Sequence, residues 1–388
     1  MAEKITSINP RMLEWARMIS GTTLDYVGER IGGIDRVVLW EKGEDYPTYN
    51  QLKELCQIYR KPVAVCFFPE PPQIKNISAS YRTLPDNMYN NFSRKLIKII
   101  DEARVMQLYL YELNNGANPS QIMLKDIKFS YKDSKSVAIN LRKLLGADLE
   151  LQKQIRKLED AFEYWRDLFY QMGIYVFKNA FQDESVSGFC LYDNEFPIIY
   201  INNSFSPARQ IFTLFHELYH LICQTSGIDF LNDDFLKTYD NKNNVLIERT
   251  CNHFAGEFLV PDDDFDLVTR NNKVTDSLVA ELSNIYCVSR EVILRKFLDR
   301  KKISKEEYQE KRELFNTDYF REVEKMKAKK NGGDYYNTQA VYKGRHYLEL
   351  VYRQYYSNKV TIIQLARYLN MKIPSVKALA LKKGWGTI

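Results

Sequence analysis

Long apolar runs are missing from this sequence. The longest, such as Pro62 to Phe68, fall far short of the roughly 20 residues that a membrane-spanning helix needs. The first ten residues, MAEKITSINP, contain no apolar h-region and do not read as a secretory signal. A cytosolic, cytoplasmic protein without a membrane partner is expected. CxxC pairs are missing too. The six cysteines (Cys56, Cys66, Cys190, Cys223, Cys251 and Cys287) lie far apart in 388 residues, which argues against a disulfide framework and against a Cys-rich zinc finger. Most are expected to be buried thiols behaving as small hydrophobes. Charge of one sign is not concentrated either: the net charge is +5, with basic residues interleaved among nearly as many acids. Composition therefore permits nucleic-acid contact without implying it. No internal repeat of fixed period occurs, and histidine is scarce, at four.

What is present is enough apolar residue, 45%, to bury substantial cores, in a chain whose length predicts two or three domains. Four segments separate on composition. Residues 1–72 are helical in pattern and end in PEPP, which no helix crosses. Residues 73–158 start extended and continue as charged amphipathic helices such as FSRKLIKIIDEARVMQLYLYEL, a helical connector. Residues 159–315 mix helix and strand and hold every histidine except His346. A charged run with Gly332–Gly333 then reads as a hinge or solvated linker into a tyrosine-rich helical domain, 316–388.

The chemistry concentrates in TLFHELYHLIC, residues 213–223. Four residues on a helix turn through about 400°, so His216 and His220 project together, one turn apart. Neutral imidazole nitrogens at that spacing suit zinc. Glu217, about 100° round from His216, is placed to act as general base on a water beside such a metal. Ile211, Leu214, Phe215, Leu218 and Ile222 recur at helical spacing and would bury the opposite face. Just upstream, FPIIYINNSF (196–205) alternates like a strand, and is read as a sheet edge of the kind that binds extended peptides.

A third ligand is expected from NVLIERTCNHFAGEFLVP, residues 244–261. This is a second amphipathic helix with Ile247, Cys251, Phe254, Phe258 and Leu259 as its buried stripe and Pro261 at its end. Glu248 sits on the shoulder of that stripe, with Asn252 one turn later. His253 and the loop acids Asp229, Asp233, Asp234 and Asp240 are rivals, and spacing alone does not choose among them.

Taken together, HELYHLI (216–222), ERTCNHFAGEFLVP (248–261) and SASYRTLP (78–85) resemble the ImmA/IrrE family of zinc metallo-endopeptidases, the last matching the family's linker ahead of its peptidase. The resemblance implies an α+β, mostly helical, zincin-like core with a small sheet. It implies that His216, His220 and Glu248 bind zinc, that Glu217 is the catalytic base, that Asn252 supports a ligand from behind, and that His253 is a surface residue. Tyr219 faces away from the histidine pair by helical geometry, while Tyr200, Asn202, Asn203 and Arg209 are near in sequence without a readable role.

In the N-terminal segment, TLDYVGERIGGIDRVVLWEKGEDYPT resembles the helix-turn-helix of phage-repressor (XRE) domains, whose second helix enters the major groove. Here that helix is about one residue short. It offers Ile34, Val37, Val38 and Leu39 where base-reading polar residues are expected, and Asp35 repels phosphate. Docking of protein partners is favoured over DNA. Toward the other end, TDSLVAELSNIYCVSREVILRKFLDR again has helix–turn–helix rhythm with Ser289 as an N-cap, and the C-terminal tyrosines are expected to pack a core or an interface. The function implied is cleavage of a regulatory protein, a repressor or antitoxin encoded nearby, in a mobile-element, stress-response or toxin–antitoxin context. The competing class is a non-proteolytic antitoxin or transcriptional regulator that neutralises a neighbouring toxin by binding.

Overall fold

The computed structural model describes residues 3–71, 93–126, 133–230, 242–317 and 334–385, apart from positions 21, 60, 121, 123, 184 and 316. The SASYRTLP stretch, Asp233, Asp234, Asp240 and Gly332–Gly333 lie outside them. The chain divides into two units, the first reaching Asp101 and the second running from Glu102.

In the first unit, α1 (Pro10–Ile19), α2 (Leu24–Ile31), α3 (Ile34–Lys42) and α4 (Tyr49–Tyr59) surround Leu13, Val27, Val37, Trp40, Leu52 and Leu55. Asn9 and Thr23 cap α1 and α2 by accepting from backbone amides two and three residues on. The α2–α3 turn is tight: a Cβ on Gly28 would lie 2.8 Å from the Ile34 nitrogen, so glycine is what lets the two helices meet. Val37 is in the core, correcting its expected place among groove-facing residues. Ile34 and Leu39 are exposed, alongside Asp35 and Arg36.

Helix α5 (Arg94–Leu113) is followed by α6 (Ser134–Leu144), α7 (Leu149–Gln154) and α8 (Leu158–Gln171). Then come β1 (Tyr175–Asn179), β2 (Val186–Leu191), β3 (Ile198–Asn202), α9 (Pro207–Ile222) and β4 (Gly227–Phe230). The four strands form one sheet in the order β1-β3-β2-β4, parallel between β1 and β3 and antiparallel elsewhere. The strand β3 is thus an inner strand, not the edge expected from its sequence; among the described strands the edges are β1 and β4. Helices α10 (Lys242–Leu259), α11 (Asp262–Thr269), α12 (Asp276–Tyr286) and α13 (Arg290–Asp299) follow, with Ser289 capping α13 as expected.

Strand alternation gives the sheet two faces. Val176, Cys190, Ile199 and Ile201 join the core built on α9, whose Phe215 meets Trp165 of α8 and stacks on Phe258 of α10 at 4.4 Å. Gly188 lets α9 approach, since a Cβ there would come within 2.5 Å of Thr213. Buried Arg142 and Gln152 donate to the Phe258 and Leu259 carbonyls, satisfying the C-terminal end of α10. Phe177, Phe189 and Tyr200 line the other face, where Phe177 meets Tyr347 of the C-terminal helices α14 (Tyr335–Lys343), α15 (Arg345–Tyr356), α16 (Ile362–Leu369) and α17 (Ile373–Lys382). The fold is α+β, mostly helical, with a small sheet. No described helix is long and apolar enough to cross a membrane.

Candidate metal centre

Ser206 caps α9 by accepting from the Arg209 amide, and Pro207 occupies the first turn, so the helix starts where its apolar face must meet the sheet. The face turned toward α10 carries His216 and His220, both buried, with their Nε2 atoms 3.2 Å apart. On α10, Glu248, Cys251 and Asn252 stand three and four residues apart and so share the facing side. Glu248 Oε2 lies 3.1 Å from His216 Nε2, and its Oε1 lies 3.5 Å from His220 Nε2. Cys251 Sγ lies 3.5 Å from the same His220 nitrogen.

Asn252 places its amide oxygen 2.9 Å from His216 Nδ1. An amide oxygen only accepts, so Nδ1 holds a proton and Nε2 is the ring atom turned to the centre, where a metal would take the place of a second proton. Two imidazole nitrogens brought to 3.2 Å repel unless a proton or a cation lies between them. Glu248 Oε1 is buried with no hydrogen-bond partner among the described residues, an arrangement that calls for a positive ligand. Bond lengths of 2.0–2.1 Å in a tetrahedral site imply donor atoms about 3.3–3.4 Å apart, and the distances above bracket that value. The residues present fit a divalent metal.

Glu217 is wholly buried beside the Cys190 thiol, and neither carboxylate oxygen has a well-formed hydrogen bond among the described residues. Burial, against the pull of His220 and His216, pushes its pKa up to about 7. Burial works against a charge on His216, but Asp229, Glu248 and Glu217 outweigh it and push its pKa up to about 10. Burial also opposes the charged form of Glu248, yet His220 and His216 hold its carboxyl well below the usual range.

Beneath the centre, β4 brings two residues to α9. A Cβ on Gly227 would fall 2.6 Å from the His220 ring, so only glycine leaves the imidazole its seat. Asp229 accepts from Arg209 Nη2 and Thr213 Oγ1, each at 2.9 Å, and from the Ser187 hydroxyl. It fastens α9 to the sheet, which removes it from the rival ligands and accounts for Arg209. His253 is exposed and bonds Ser134 at 2.8 Å. Tyr200 is buried against Phe189 on the far face, and Asn202 ties the Asp183 and Val186 carbonyls. Tyr219 packs on Phe254. Gly227 carried no signal in the sequence, and Cys251 read only as part of the apolar stripe.

Residues 170–298 match the family model of the IrrE N-terminal-like domain, a peptidase family. This third of the chain begins at the end of α8 and closes in α13, so it holds the whole sheet and both helices of the centre. The match supports the ImmA/IrrE family and a metallopeptidase-type domain, and with it a metal ion and a protein substrate. No curated protein matches the chain.

Proposed function

We propose that the chain is a zinc-dependent endopeptidase acting on a regulatory protein, a repressor or antitoxin encoded nearby. His216, His220 and Glu248 hold the zinc, and the IrrE-like match over both helices supports that assignment. Zinc bound there supplies Lewis-acid polarisation of the scissile carbonyl and acidifies water. The observation that carries the reading is Glu217: a structural metal site has no use for a buried carboxylate left without a good hydrogen bond beside the donors. Glu217 takes a proton from the attacking water at its carboxylate and returns it to the leaving amine nitrogen. Asn252 keeps His216 in the tautomer whose Nε2 faces the centre. The β4 strand, whose outer side pairs with no described strand and whose Gly227 touches His220, is the edge on which an extended peptide aligns. In the first unit, the outer face of α3, with exposed Ile34 and Leu39 beside Asp35 and Arg36, serves protein docking.

Glu217→Gln preserves volume and ligands while removing the base. The variant is expected to keep its metal and melting temperature, to bind the neighbouring gene's product, and to cut it about 10²–10⁴-fold more slowly. Undiminished cleavage would end the peptidase reading. A chain that never cleaves, yet protects cells from a neighbouring toxin equally well with either residue, would be an antitoxin working by binding.

A further inference from the structure

The zinc reading leaves one buried donor without a task. Cys251 is 0% exposed, and its sulfur lies with His216 and His220 in one group whose ligand atoms are all within 4.8 Å of one another. Its 3.5 Å separation from His220 Nε2 is what a shared metal would impose. A Zn–S bond of about 2.3 Å and a Zn–N bond of about 2.0–2.1 Å at a tetrahedral angle separate the two donors by about 3.5–3.6 Å. Three further separations, His216–His220 at 3.2 Å, His216–Glu248 at 3.1 Å and His220–Glu248 at 3.5 Å, are also of the length that ligands of one metal keep. The two imidazoles thus have a carboxylate and a thiol both within reach, where a hydrolytic site needs only three protein ligands and an open position.

We propose that Cys251 is a fourth protein ligand, so that the resting protein holds a closed shell of His216, His220, Glu248 and Cys251 and becomes competent only when the thiolate leaves. The proposal rests on the metal-site reading above and adds latency to it. Helix geometry makes the closure local: Cys251 is one turn from Glu248 on α10. Burial and the neighbouring Glu248 push the free thiol well up, but a divalent cation deprotonates a coordinating thiol outright. Cys190, the other buried thiol nearby, accepts instead from the Gly227 amide at 3.3 Å and lies beside Glu217. Without a metal, the Cys251–His220 contact is simply a thiol donating to an imidazole.

Cobalt(II) substitution of the full chain distinguishes these arrangements, because thiolate ligation adds a near-ultraviolet charge-transfer band that nitrogen and oxygen donors do not give. The parent is expected to show that band together with tetrahedral visible bands that acetohydroxamate does not perturb. Cys251→Ala and the volume-conserving Cys251→Ser should retain cobalt, lose the charge-transfer band, and respond to acetohydroxamate. Bound cobalt without the band in the parent, a band surviving in Cys251→Ala, or a parent spectrum that acetohydroxamate already shifts would each overturn the proposal and leave the three-ligand site standing. Failure of the parent to bind cobalt at all would take both down.

Discussion

Asn252 and Gly227 act on the centre without touching the chemistry. Asn252 accepts the His216 Nδ1 proton, so Asn252→Ala frees the imidazole to turn and to adopt the wrong tautomer. Partners of this kind are typically worth about 10–100-fold in metal affinity, and chelator competition should record a loss in that range, with Asn252→Asp, which keeps an acceptor oxygen, losing less. Parent-like affinity in Asn252→Ala would mean that packing alone orients the ring. Gly227→Ala places a methyl where the His220 ring already lies, 2.6 Å away. The imidazole must move, because the competing atom is the edge of α9's own ligand and β4 is held by its ladder to β2. The purified variant is expected to carry clearly substoichiometric zinc while its helical circular dichroism persists; full zinc content would show that β4 yields instead.

Among the elements, what could be read from sequence depended on whether the signal was local. The α9 helix announced itself because apolar residues and the histidine pair follow one helical period, and Ser289 could be recognised as a cap because capping needs only its own next three residues. Strand β3 was also visible as a strand, but its place between β1 and β2 was not: strand order is decided by partners more than twenty residues away, such as Tyr175 opposite Ile198. Cys251 was hidden for another reason, since a thiol in an apolar stripe looks the same whether it packs or ligates. The α3 helix lies between these cases. Its helical character was plain, while Val37 proved to face the core and leaves Ile34, Asp35, Arg36 and Leu39 outside. That surface offers one cation against one carboxylate, too little to neutralise phosphates or read base edges. Titrated against genomic fragments at about 0.15 M salt, the full chain should form no nanomolar sequence-selective complex. One that is lost on Arg36→Ala would reverse the docking assignment.

At the scale of the second unit, the C-terminal helices are part of the structure that carries the metal centre. They cover the aromatic face of the sheet whose other face supports α9: Tyr347 is buried against Phe177, and its hydroxyl bonds the Tyr368 carbonyl. One polar fastening is Arg166 on α8, next to Asp167, which pairs with His346 Nε2 at 2.8 Å. Its guanidinium donates through Nε to the Val176 carbonyl at 2.9 Å, through Nη1 to Val341 at 2.9 Å and through Nη2 to Tyr342 at 3.3 Å, joining α8, β1 and α14. Gly344 approaches it so closely that a Cβ would sit 2.5 Å from the guanidinium carbon, on a backbone with φ of +80°. Arg166→Met keeps an unbranched apolar stem but removes the donor to the buried Val176 carbonyl, at roughly 1–3 kcal/mol, together with the two part-buried bonds to α14. The variant should melt well below the parent, and limited proteolysis should release a fragment containing residues 334–385 before the helices of the metal centre are cut. A lowered melting temperature with no early release would mean that the Phe177–Tyr347 contact and the bonds from Asp167, Glu112 and the Leu113 carbonyl hold the C-terminal helices without Arg166, which then serves only to tie α8 to β1.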